Sequence, residues 1–128
     1  MTTALMKFIN CIPAHQDDAN LDMKPSNYVD PKIVVEGEAK ERAQIYHTSA
    51  DKKFVAGIWE CTACIERLID YPADEFMTVL SGSVTLSDLD GNNPQTYSKG
   101  QSFVMPKGWN GLWAMKGTFR KYFIMYLN

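Results

Sequence analysis

From residue 43 onward, apolar residues recur at nearly every second position in short runs, and Gly, Pro, Asn or Asp cut one run from the next. That period puts alternate side chains on opposite faces of an extended chain, which is a β-strand signature. The runs are QIYHT (44–48), FVAGIWE (54–60), CIERLIDY (64–71), EFMTVL (75–80), SVTLSD (83–88), QTYS (95–98), SFVM (102–105), GLWAM (111–115) and TFRKYFIMYL (118–127). Their β-branched and aromatic residues suit a half-buried pleated surface. Asp90-Gly91-Asn92-Asn93 tolerates positive φ, so 83–98 reads as a hairpin, and Ser81-Gly82-Ser83 reads as a tight joint. Some nine short strands at this spacing predict an all-β sandwich or barrel of the jelly-roll kind.

The first part of the chain differs. Pro13, Pro25 and Pro31 punctuate it, and HQDDAN and KPSN read as irregular surface chain. Residues 1–30 are therefore assigned to an N-terminal arm lying over the barrel or a partner subunit, and 31–128 to one β-barrel domain. Lys32-Ile33-Val34-Val35 reads as a short edge strand. GEAKERAQ (37–44) has helical propensity but is too short to form a helix alone.

A chain of 128 residues is one domain and can bury a core without staples. Its net charge of −2, with basic residues scattered, offers no footprint for nucleic acid or an anionic membrane. No run approaches the ~20 apolar residues of a membrane span, and the N-terminal apolar patch lacks the positive region of a signal peptide. Three cysteines, an odd number, favour reduced thiols and a cytoplasmic setting. Cys61 and Cys64 have C-x-x-C spacing, but the only histidines are His15 and His47, and the flanks read as strand rather than helix. Two ordinary thiols near a strand turn are the simpler reading. His47 reads as a hydrogen-bonded sheet residue and His15 as exposed on the arm.

Two spacings carry more. Glu75 is followed by six residues and Gly82, and the later run GQSFVMPKG places Gly100, five residues, Pro106, one residue and Gly108. These resemble the two motifs of the cupin superfamily. The wider string, GIWECTACIERLIDYPADEFMTVLSGSVTLSDLDG through GQSFVMPKGWNGLWAMKGTFRKYF, resembles the small cupins related to the cupin domain of (S)-ureidoglycine aminohydrolase. The resemblance spans about residues 30–127. It implies a cupin double-stranded β-helix, a jelly-roll barrel, with a metal held by His, His, Glu and His, or in the aminohydrolase by Glu, His, His and Gln.

Here the corresponding places read Ile69, Tyr71, Glu75 and Gly111. A first-row divalent ion needs about four to six N, O or S donors. Ile and Gly have none, and a neutral phenol with pKa ~10 is a poor one. The expectation is no bound metal and no cofactor, and the aminohydrolase activity is not carried over.

Strand alternation then suggests what fills the interior. With Tyr71 and Ile69 inward, Arg67 and Ile65 join them; with Glu75 inward, Met77 and Val79 join it; with Gly111 inward, Trp113 and Met115 join it. An isolated carboxylate there is costly, so Glu75 needs Arg67 or Lys121 as a charge partner, with Tyr71 donating a hydrogen bond. The candidate ligand-binding set is Arg67, Ile69, Tyr71, Glu75, Met77, Trp113 and Lys121. Trp59, Trp109 and Tyr122 read as core or rim aromatics.

Three functions follow. The first is a metal-free cupin that binds a small polar metabolite. The second is a metal-independent enzyme, of isomerase, epimerase or amidohydrolase type, with Glu75 as base and Tyr71 as acid. The third is a scaffold that binds partners, in which the aromatics and Glu75 are packing where a metal once sat. The resemblance implies a homodimer paired through an outer sheet face, which fits apolar residues on both parities, such as Leu68 beside Ile69.

Overall fold

The computed structural model describes residues 9–12 and 21–128, so His15 and much of the expected arm lie outside the described residues. Among the described residues, nine strands form one curled sheet: β1 (Lys24–Pro25), β2 (Val34–Gly37), β3 (Glu41–Thr48), β4 (Phe54–Cys61), β5 (Cys64–Leu68), β6 (Asp74–Ser87), β7 (Gln95–Ser98), β8 (Ser102–Met105) and β9 (Gly111–Tyr126). Among the described residues no helix is long and apolar enough to cross a membrane.

Two long strands make the barrel. The first half of β6 pairs with β8 and with the second half of β9, as in Phe76 with Val104 and Ile124. The second half of β6 pairs with β7 and the first half of β9, as in Val84 with Tyr97 and Met115. β9 carries β4 along its second half and β5 along its first. The result is two faces, β1-β3-β4-β9-β6-β8 and β2-β5-β9-β6-β7, joined where β6 and β9 bend together. The bend needs glycine. Gly82 and Gly117 have φ of 66° and 68°, and a Cβ on Gly82 would sit 2.6 Å from the Lys116 carbonyl oxygen.

The sequence expectation of separate strands at 75–80 and 83–88, and at 111–115 and 118–127, is thereby corrected. A glycine at a barrel corner interrupts the apolar pattern without ending the ladder. The hairpin 83–98 forms as expected, with Asn93 at φ 54°. The expected edge strand at 32–35 is instead a 3₁₀ turn, Pro31–Ile33, capped by Asp30, followed by β2 on the edge of β5. Helical propensity in GEAKERAQ is overridden, because Glu41 already opens β3 and pairs with Cys61. Within the stretch assigned to the arm, β1 pairs with β3.

The core lies between the two faces. Cys61, Met77, Val79, Phe119 and Phe123 from one face meet Cys64, Val84, Trp113 and Met115 from the other. Phe119 meets Trp113 and Trp59 edge-on, with ring centroids 5.6 and 6.2 Å apart.

Candidate ligand pocket

One end of the barrel is left open as a cavity of about 540 Å³. Its walls are mainly apolar: Ile45 and Val55 from β3 and β4, Leu68 from β5, Phe123 and Met125 from β9. Loop residues Tyr28 and Val29 close one side. That loop is tied down by Glu41, whose carboxylate accepts hydrogen bonds from Ser26 Oγ (2.7 Å), the Tyr28 and Val29 amides (2.9 and 2.7 Å) and Trp59 Nε1 (3.0 Å). Burial pushes the Glu41 carboxyl up, but those hydrogen bonds more than offset it, leaving it below the usual carboxylate value.

Glu75 sits at the cavity floor, fully buried. Lys121 Nζ donates to its Oε2 at 2.5 Å, and the Tyr71 hydroxyl donates to Oε1. Lys121 is held on other sides too. Its Nζ lies 3.2 Å from Met77 Sδ and 4.9, 5.1 and 5.7 Å from the ring centroids of Trp59, Trp113 and Phe123. An ammonium within about 6 Å of an aromatic face is attracted by the ring quadrupole. The pocket thus contains an aromatic cage occupied by the protein's own cation. Burial, together with the charge of Glu75 beside it, pushes the Tyr71 phenol well above its ordinary range, so it acts as a donor.

The partner of Glu75 is Lys121 and not Arg67. Arg67 and Ile69 are exposed and reach only the cavity rim. The reason is strand phase. β5 ends at Leu68, and Asp70 takes φ 51°. Asn110 Oδ1 accepts from the Asp70 amide at 2.8 Å, while Tyr71 exchanges backbone hydrogen bonds with Gly108 and Trp109. This latched turn breaks the alternation, so Tyr71 points inward while Arg67 points out. Cys64, Glu66 and Leu68 form the inward row instead. Met77 is buried against Lys121 and does not line the cavity, whereas Trp113 and Lys121 do.

Sequence reasoning missed Glu66. It is 5% exposed, faces the cavity, and pairs across the ladder with Trp113. Burial pushes its carboxyl up to about 7; Lys121 opposes this, while Glu41 and Glu75 add to it. The missed signal was the parity of CIERL counted forward from Cys64. Trp59, read as core or rim, also lines the cavity.

Cys61 and Cys64 are free and buried, and burial pushes both thiols up, which makes them poor nucleophiles and ligands. His47 is an exposed sheet residue whose Nδ1 lies 3.2 Å from Asn10 Nδ2.

The side chains do not fit a resident divalent ion. Lys121 brings a positive charge to the one carboxylate at a cupin ligand place, and Tyr71 spends its proton on the same group. Ile69 lies at the rim. At Gly111 no larger side chain has room, since a Cβ would lie 2.3 Å from the Trp109 indole and 2.4 Å from the Ser87 carbonyl oxygen. Among the described residues no group of three or more His, Cys, Asp or Glu could hold a metal.

The comparisons with known proteins agree with the barrel. A structure of a protein of unknown function from Pseudomonas syringae pv. tomato is similar over 84% of this chain, with 22% identity and a TM-score of 0.75; the chain spans 46% of that protein's length. A putative ethanolamine utilization protein Q from Salmonella typhimurium is 17% identical over 82% of this chain and 97% of its own, with a TM-score of 0.59. The Clostridium difficile EutQ protein is 16% identical over 70% of this chain and 64% of its own, with a TM-score of 0.58. None of the curated proteins matches. The profile of the EutQ-like cupin domain matches residues 48–123, more than half of the sequence, and the chain therefore belongs to that cupin family.

Proposed function

We propose that this cupin binds a small molecule without a metal, in the cavity above Glu75. The observation that carries the reading is the Lys121–Glu75 pair, 2.5 Å long and caged by aromatics, at the floor of an open, largely apolar cavity of about 540 Å³. Cavities of that size with apolar walls and a few convergent polar groups are typical of ligand sites. The ligand has an apolar body and a polar end. The aminohydrolase chemistry of the resembled family is not part of the reading, because the donor set at its metal places differs.

A thermal-shift screen of small metabolites in the presence of a chelator tests it. Stabilisation by at least one compound, unchanged by the chelator, is the expected result. Stabilisation that appears only with added manganese, zinc, iron or nickel would overturn it.

One observation favours a second reading, metal-independent acid–base catalysis: Glu66, pushed up to about 7, sits beside Lys121 in the cavity. In that reading the proton transfer expected of Glu75 and Tyr71 would pass to Glu66. For quaternary structure we propose a homodimer through the outer face on which Val104, Phe76 and Ile124 stand side by side across β8, β6 and β9. These three are 61%, 45% and 40% exposed, a large apolar row for a surface.

A further inference from the structure

Two polar groups in the cavity wall have no hydrogen-bond partner among the described residues: Glu66 Oε2 and Trp113 Nε1. Both side chains are more than nine-tenths buried, and both line the cavity. They are direct cross-strand neighbours, Glu66 on β5 and Trp113 on β9, and they share the inward face. Facing side chains in an antiparallel pair stand about 5 Å apart at Cβ. The wall thus presents an acceptor and a donor side by side.

A buried polar atom without a partner costs free energy, and a ligand that supplies the partner recovers it. Trp113 Nε1 can only donate. Glu66 Oε2 accepts when the carboxyl is ionised. Glu41 on β3, Glu75 on β6 and Lys121 on β9 all act on Glu66. With Lys121 paired to Glu75, and with Asp30 and Arg67 exposed at the rim and opposite in sign, the unbalanced charge inside the ionised cavity is the negative charge of Glu66, which disfavours an anionic ligand. A lone ammonium would satisfy Glu66 but leave the indole N–H unserved.

We propose that Glu66 and Trp113 form a subsite for a neutral carboxamide-type group, its N–H donated to Glu66 and its carbonyl accepting from Trp113. The apolar body of the ligand then lies along Ile45, Val55, Leu68 and Met125. The assignment rests on the ligand-pocket reading above, and the experiment separates the two.

The test is calorimetric titration of the intact protein, above about pH 8 so that Glu66 is ionised, with four matched probes: benzamide, benzoate, benzylamine and toluene. Two hydrogen bonds made in a dry wall predict benzamide binding about tenfold more tightly than toluene, with benzoate weakest. Glu66→Leu and Trp113→Phe should each shrink the roughly tenfold preference for benzamide over toluene to about one. Because the probe comparison is made on the wild-type protein, it does not depend on either variant folding. If toluene and benzamide bind equally, water serves the two wall groups; the subsite is then refuted while the pocket stands. Preference for benzoate or benzylamine refutes the carboxamide assignment in the same way. If none of the four binds at millimolar concentration, the pocket reading falls together with the subsite.

Discussion

Replacing Glu66 by Gln should make the protein more stable at alkaline pH and leave it nearly unchanged in acid. Glu66 is 5% exposed, and burial pushes its carboxyl from its ordinary 4.5 up to about 7. Below 4.5 it is protonated both folded and unfolded, so its ionisation costs nothing. Between 4.5 and about 7 the unfolded chain releases the proton while the folded chain keeps it, and stability falls as pH rises. Above about 7 the folded protein carries the full cost of an ionised carboxylate in the cavity. A shift from 4.5 to about 7, at about 1.4 kcal/mol for each tenfold in proton affinity, gives an upper figure on the order of 3 to 4 kcal/mol. Gln keeps the shape of the protonated acid and cannot ionise. Urea denaturation of wild type and Glu66→Gln across this range should therefore show a stability difference that grows with pH. By melting temperature the alkaline difference would be about 10 °C for a domain of this size. A difference independent of pH, or a wild type more stable than the variant at alkaline pH, would refute the assignment of Glu66 as a buried carboxyl desolvated by the barrel.

Lys121→Met should cost about 3 kcal/mol or more in urea denaturation, because it leaves Glu75 buried without its cation. Adding Glu75→Gln to the same chain should recover most of the loss, and a double variant no better than the single one would mean that the pair is not coupled. Glu41→Gln should speed amide exchange at Tyr28 and Val29, whose N–H groups the carboxylate accepts. Since the folded Glu41 is held below 4.5, its contribution is present above that value and lost as pH falls, so an exchange pattern identical to wild type at neutral pH would remove the clamp from the account. Light scattering at micromolar concentration should show a dimer, and Phe76→Asp should shift it to monomer; a monomeric wild type would end the outer-face proposal.

How far the site could be read from the sequence depended on whether a turn lay between a residue and its reference point. Within a strand, parity was enough. Glu75, Met77 and Val79 share the inward face of β6, and Gly111, Trp113 and Met115 that of β9, as alternation required. The joint at Gly82 and the gap between runs that holds Gly117 were visible, but nothing local distinguishes a strand that ends there from one that bends through a barrel corner and keeps pairing. Parity failed across residues 69–71, where Asp70 at positive φ and the hydrogen bonds to Gly108, Trp109 and Asn110 reset the direction of the chain. Counting backward from Tyr71 put Arg67 inside; counting forward from Cys64 puts Glu66 there. One misplaced residue replaced a basic group with an acidic one and so inverted the electrostatics expected of the wall. The interior cation was legible only as an option, because Lys121 reaches Glu75 through a β6–β9 register in which Glu75 pairs with Met125 and Lys121 with Val79. Contacts of that kind are set by the ladder between distant strands, and no local pattern in either segment encodes them. The acidic wall at Glu66, set against a cation already neutralised by Glu75, is therefore a property of the closed barrel, and in the proposed ligand-binding reading it is the feature that selects among ligands.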